Sequence, residues 1–148
     1  MSNSKNLVDT FKRSLTATVK SIGKKKEAEI AFVNENPSIE GLKINLSLPR
    51  KSTLKKDLTY LRGEADSMAL KLRLHNSKIH EKYLKGNELK NKIFNAIEQS
   101  RCEANGSNSF KGVRSNINYK HSRDLKNLND SNEESEKIVS AFKYVSYS

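Results

Sequence analysis

A single cysteine, Cys102, in 148 residues leaves no partner for an intramolecular disulfide and no way to assemble a zinc site from cysteines, so a reducing compartment is the natural setting. No apolar run approaches the length that crosses a bilayer, and none precedes the first amphipathic pattern, so a cytoplasmic location is expected. Hydrophobic residues make up only 34% of the chain against 30% charged ones, with mean hydropathy −0.78. The core must be modest and drawn from a few segments. Arginine is also scarce: of 28 basic residues only 7 are Arg and 21 are Lys. The net charge of +11 would attract polyanions. Specific phosphate and base recognition, however, favours the planar guanidinium, so the lysines read as a solvated surface. Phosphate loops of the GxxxxGK[ST] type, GxGxxG turns, HExxH and nucleophile elbows are all missing, which removes the parts needed for an autonomous ATPase, dehydrogenase or common hydrolase.

What is present is mostly helical periodicity. Leu7, Phe11, Leu15, Val19 and Ile22 recur at helical spacing, and Gly23 with three following lysines suits the end of that helix. The period then changes to two: Ala28, Ile30 and Phe32 alternate, as do Leu42, Ile44, Leu46 and Leu48, and the turn region 34–41 between them contains Pro37. Two such segments predict a β-hairpin lying on the helices. Behind a Ser52 or Thr53 cap, Leu54, Leu58, Leu61, Ala65, Met68, Leu72 and His75 alternate at spacings of four and three, a seam that predicts a packed helix over 52–75. Its predicted partner is a helix over 87–104, with Ile93 and Ile97 buried and a short helical turn around Ile79 and Tyr83 in the connection. After residue 104 the texture becomes Asn, Ser and Gly, and apolar spacing weakens. The expected fold class is α+β, mainly helical, with amphipathic helices, one β-hairpin and a poorly ordered C-terminal tail; residues 1–116 form the domain and 117–148 a weakly structured extension.

Chemistry-bearing residues are few. His75 and His80 are five apart and lie across a predicted connection, and neither they nor Glu81, Cys102 and His121 sit at a recognised ligand spacing, so no metal site is predicted. Gly63 interrupts a leucine-rich helix at a cost of about 1 kcal/mol relative to alanine. It would let a neighbouring backbone approach closely, or mark a recognition patch, with Arg62 and Asp66 an exposed i, i+4 pair.

The run Arg62-Gly-Glu-Ala-Asp-Ser-Met-Ala-Leu-Lys-Leu-Arg-Leu-His75, followed by His80, resembles the RGxADxxALxLxxH signature of the CobT-type subunits of aerobic cobaltochelatase. Phe94, Ala96, Glu98, Gln99, Arg101, Glu103, Ala104 and Gly106 are similar to that family's FxAxEQxRxEAxG block, and Gly112, Val113 and Asn116 to the GVxxN that follows. Phe11-Lys-Arg, Leu15 and Ala17 resemble its opening helix, so the likeness runs over about residues 7–117. Asn76-Ser77 stands where the family usually has Asp-Pro, and Asn105 replaces an aliphatic residue.

The resemblance implies a role in ATP-dependent insertion of cobalt into hydrogenobyrinic acid a,c-diamide during cobalamin synthesis. The chain would be a non-catalytic subunit of a metal–nitrogen ligase, inactive alone. ATP, magnesium and cobalt are used by the complex, and none is expected to be bound by this chain. The implied partners are an AAA+ ATPase subunit (CobS-type) and a large corrin-binding subunit (CobN-type). Family members carry a von Willebrand A-type domain that is not found here, which suggests a truncated interaction module. A basic nucleic-acid-binding protein and a non-functional gene remnant are the alternatives. No catalytic residue is assigned. The residues expected to meet a partner are Arg62, Glu64, Asp66, Glu98, Arg101 and Glu103, polar positions inside the two motifs.

Overall fold

The computed structural model describes residues 2–129 and 133–148. Its first helix, α1 (Ser2–Gly23), buries Phe11, Leu15 and Val19, as the helical spacing predicts, but leaves Leu7 exposed beyond the end of the core. The left-handed residue that ends α1 is Lys24 (φ 53°) and not Gly23. Gly23 serves packing instead: a Cβ there would sit 2.7 Å from Leu72 Cδ2.

Three short strands follow: β1 (Glu29–Val33), β2 (Ser38–Glu40) and β3 (Lys43–Ser47). The two alternating segments seen in the sequence do not form the predicted hairpin. They run parallel, with Ile30 beside Ile44 and Phe32 beside Leu46, and β3 is the central strand of the order β1-β3-β2. The hairpin partner of β3 is β2, joined to it by a tight turn in which Gly41 takes φ +59°, a conformation that suits glycine. Period two reports which face of a strand is buried but carries nothing about strand direction, and the intervening Ser-Ile-Glu is too short to show a period of its own.

The seam helix, α2 (Leu54–Leu74), stands at the centre of the molecule. Leu54, Leu61, Ala65 and Ala69 join Phe11, Leu15, Val19, Ala28, Ile44 and Leu46 in one core, with Leu58, Met68 and Leu72 half-buried at its margin. The seam therefore packs against α1 and the sheet, not against the 87–104 helix predicted as its partner. That helix, α4 (Glu88–Ser107), meets α2 where Gln99 and Glu103 bond Ser67 and where Gly106 lies against Leu70; Ile93 is only half-buried and Ile97 is 37% exposed, against the prediction that both are core. A seam specifies that something packs on it; the choice of partner depends on shape and chain connection. Between α2 and α4 the predicted turn is realised as α3 (Ser77–Tyr83), capped by Asn76, whose side chain accepts from the Ile79 N–H.

The described residues of the tail predicted to be weakly structured are mostly helical. α5 (Lys111–Asn129) lies along α2 and inserts Val113 and Ile117 against Leu70, forming a second apolar cluster. α6 (Glu134–Tyr147) lies along α4, where Ser100 Oγ donates to the Lys143 carbonyl at 2.7 Å. The apolar residues of α5 are too few to announce a helix, because much of what holds it is polar contact made across the fold, Asn116 with Asp66, Asp124 with Tyr60 and Arg123 with Asp57. The mainly helical α+β class holds. No helix among the described residues is long and apolar enough to cross a membrane.

Candidate functional site

The polar residues of the two sequence blocks converge on α2, where four groups of contacts account for them. At the sheet end, Glu64 is buried and its carboxylate accepts from the Ser47 N–H (2.6 Å) and the Ser47 hydroxyl (2.8 Å), closing the last residue of β3 onto α2. Burial raises the Glu64 pKa and those two bonds oppose it. Two residues on, Asp66 is also buried and accepts from Asn116 Nδ2 of α5 at 2.8 Å, again with burial raising its pKa. It does not form the exposed i, i+4 pair with Arg62. Beside it Gly63 lets the α5 backbone pass: a Cβ would lie 2.4 Å from the Asn116 carbonyl oxygen. The close-approach account of this glycine is the one the structure supports.

At mid-helix, Glu103 of α4 is wholly buried. It accepts from the Ser67 hydroxyl of α2, meets His121 Nε2 of α5 at 2.6 Å, and lies 3.9 Å from Lys143 Nζ of α6. Gln99 fills the remaining space, donating to Ser67 Oγ (2.8 Å) and to Glu103 (3.1 Å). Burial alone would raise the Glu103 pKa, but His121, Lys143 and Ser67 outweigh it and hold the carboxyl down at about 2. One carboxylate thus ties four helices together. Sequence reasoning saw Glu103 but missed His121 and Lys143 as its partners; nothing in the spacing of residues 18 and 40 positions apart could have paired them.

The fourth group forms a corner where α2 ends. His75 leaves the helix in an extended conformation (ψ 136°), and its Nδ1 lies 2.9 Å from Glu98 Oε1 of α4. Arg101, one turn further, donates from Nε and Nη2 to the same carboxylate (2.7 and 2.8 Å) and from Nη2 to the Leu74 carbonyl (3.0 Å), satisfying an end of α2. These bonds, Arg101 first and His75 after it, bring Glu98 down to about 2. α3 folds back over the corner so that the His80 ring stacks on Phe94 (4.6 Å between centroids, 9° between planes) and meets the His75 ring edge-on at 4.8 Å. Asn95 Oδ1 holds His80 Nε2 at 2.6 Å. The two histidines, read from sequence as separated by a loop, are brought together. Cys102 is buried beneath, its thiol pushed up to about 12 by burial and by the Glu98 charge.

Of the six residues predicted to meet a partner, Glu64, Asp66 and Glu103 are buried and bonded within the chain, which corrects their assignment to a surface. Arg62 is exposed, with its guanidinium 6.0 Å from the Phe11 ring centroid, and Glu98 and Arg101 lie at the other end of α2. Twelve residues separate Arg62 from Leu74, about 18 Å along a helix, so the six do not form one patch. The surface beside Arg101 is a cleft of about 590 Å³ between α2, α3 and α4, with Phe94 and Leu74 in its wall and the exposed Ile79 and Tyr83 at its edge.

Residues 5–141 match the protein family described as cobalamin biosynthesis protein CobT, a span that takes in α5 and half of α6 as well as the helices carrying the two blocks. No solved structure matches the chain.

Proposed function

The chain belongs to the CobT family of cobalamin biosynthesis proteins, and on that premise we propose that it is an interaction module of the ATP-dependent cobaltochelatase. In that complex cobalt is the substrate, inserted into hydrogenobyrinic acid a,c-diamide; the AAA+ subunit turns over ATP and the large subunit holds the corrin. This chain docks on the AAA+ subunit through the cleft at the corner of α2, α3 and α4.

The observation that carries the proposal is the family match over residues 5–141. Burial and exposure support one surface for it. Most of the family-like polar residues are consumed in holding α2, α4, α5 and α6 together, so they build a rigid support rather than a contact face. What they leave outward at the corner is Tyr83 (68% exposed), Ile79 (55% exposed) and Arg101. Tyrosine and arginine are the residue types that most often dominate binding energy at interfaces, and a half-open cleft beside them supplies the pocket in which a partner's side chain is desolvated.

Co-purification with a cognate AAA+ subunit tests this. Tyr83→Ala and Arg101→Ala are each expected to weaken recovery by about tenfold or more, as loss of an interface anchor does, with Arg62→Ala, at the far end of α2, as the control that leaves recovery unchanged. Recovery of the subunit by both corner variants at the wild-type level would refute the assignment of this surface.

A further inference from the structure

We propose that His75, His80 and Glu98 form a binding site for one divalent transition-metal ion of borderline softness, such as zinc or cobalt(II). One ligand atom from each of the three lies within 4.8 Å of the others, and all three side chains are half-buried. The closest pair, His75 Nδ1 and Glu98 Oε1 at 2.9 Å, is already near the separation of about 3.3 Å that two ligands at about 2.0 Å from a tetrahedral ion require. His80, within 4.8 Å of both, is carried on α3, a seven-residue helix between two connections.

The surroundings are those of a metal centre in three respects. The ligands are fixed by neighbours: Phe94 stacks on His80, Asn95 holds one of its ring nitrogens, and Arg101 Nε holds Glu98 Oε2. Such outer contacts set the orientation of ring and carboxylate, and at the facing oxygen, Glu98 Oε1, an ion would replace the Arg101 Nη2 and Cys102 thiol donors. The other Arg101 nitrogen, Nη2, shares Glu98 Oε1 with His75 and already touches the Leu74 carbonyl, so it can retire to that carbonyl when Oε1 turns to a metal. The site also opens on a cleft of about 270 Å³, lined further by Lys71, Ser77 and Asn95, with room for a water in the fourth position. Two imidazoles and one carboxylate select zinc, cobalt or nickel over magnesium and calcium, which take oxygen ligands. The Lys71 ammonium shares the cleft, and its charge opposes a bound cation.

The site stands on side-chain geometry and does not rest on the cobaltochelatase reading: metal binding is measured on the isolated chain, and docking on its recovery of the AAA+ subunit, so each can fail alone. The test is titration of the purified full chain with cobalt(II) chloride, read by visible d–d absorption, and with zinc chloride, read by calorimetry. The expected result is one bound ion, at least about tenfold weaker binding for His80→Ala and for Glu98→Gln, and tighter binding for Lys71→Ala. Glu81→Gln, on the same short helix, should bind as wild type does. The metal-free melting temperature of His80→Ala should match that of wild type, while the rise on adding zinc is lost; if that variant does not fold, His80→Gln takes its place. Failure of the chain to add d–d absorption to that of aqueous cobalt(II) at millimolar metal, or binding that survives both His80→Ala and Glu98→Gln, overturns the proposal.

Discussion

Substituting Gly63 by alanine isolates the contact on which the α2–α5 packing depends. The new methyl would sit 2.4 Å from the Asn116 carbonyl oxygen, 2.9 Å from Lys120 Cβ and 3.0 Å from the Asn116 carbonyl carbon. Ordinary contact begins at 3.4 Å, so the α5 backbone must retreat by about 1 Å, and backbone cannot swing aside as a side-chain tip can. Overpacking of this kind costs about 1–3 kcal/mol. The retreat also draws Asn116 away from the buried Asp66 carboxylate, now 2.8 Å away, and leaving a buried acceptor unsatisfied costs about 1–3 kcal/mol more. Alanine returns at most about 1 kcal/mol through helix propensity. The expected net loss is about 1–5 kcal/mol, a fall of roughly 2–20 °C in melting temperature for a chain of this size. Gly112→Ala provides the comparison: it lies in the first turn of α5 with nothing within 4 Å of the added methyl, so it should be neutral or stabilising by up to about 1 kcal/mol. Urea unfolding of the three proteins decides the matter. A Gly63→Ala chain as stable as wild type, alongside a well-behaved Gly112→Ala, would refute the close-approach account of α2 and α5.

Three further outcomes follow from burial and charge. Leu61→Ala should cost about 2–5 kcal/mol in urea unfolding because Leu61 is 6% exposed in the main core, whereas Ile97→Ala should cost less than about 1 kcal/mol; equal losses would mean that α4 packs as its sequence pattern suggests and not as the structure has it. The folded Glu103 carboxyl is held at about 2, below its ordinary 4.5, so its ionised form stabilises the fold above pH 4.5 and that contribution is lost as pH falls from 4.5 towards 2. The stability gap between wild type and Glu103→Gln should accordingly be widest near neutrality and narrow across that acid window, and a gap independent of pH would show that His121 and Lys143 do not act on the charge. The buried Cys102 thiol, pushed up to about 12, should resist an aromatic disulfide reagent at neutral pH until denaturant is added; rapid labelling of the native chain would contradict its burial.

Local periodicity and a family likeness carried part of this molecule, and the reach of each can be seen in particular residues. α1 and α2 were legible because Phe11, Leu15 and Val19, and Leu54, Leu61 and Ala65, repeat at helical spacing on faces that are buried. β1 and β3 were legible as strands, yet their parallel pairing was not, since alternation marks a face and not a direction. α5 escaped notice because Asp66, Glu103 and Gly63, which receive it, lie on other helices. The candidate site divided the same way: Arg62, Glu64, Asp66, Glu98, Arg101 and Glu103 were picked out as a set, but which of them face water depended on partners distant in sequence.

What the sequence determined by itself was the class of the fold, the helical register of α1 and α2, and membership of the CobT family, because amphipathic spacing and motif order are properties of a linear string. Tertiary structure alone decided that Glu64, Asp66 and Glu103 point inward, that His75 and His80 converge on Glu98, and that α5 and α6 are packed helices. The physical reason is that burial of a charge depends on whether bonding partners meet it at the same place. Ser47, Asn116, His121 and Lys143 reach their carboxylates only after the chain has turned back on itself.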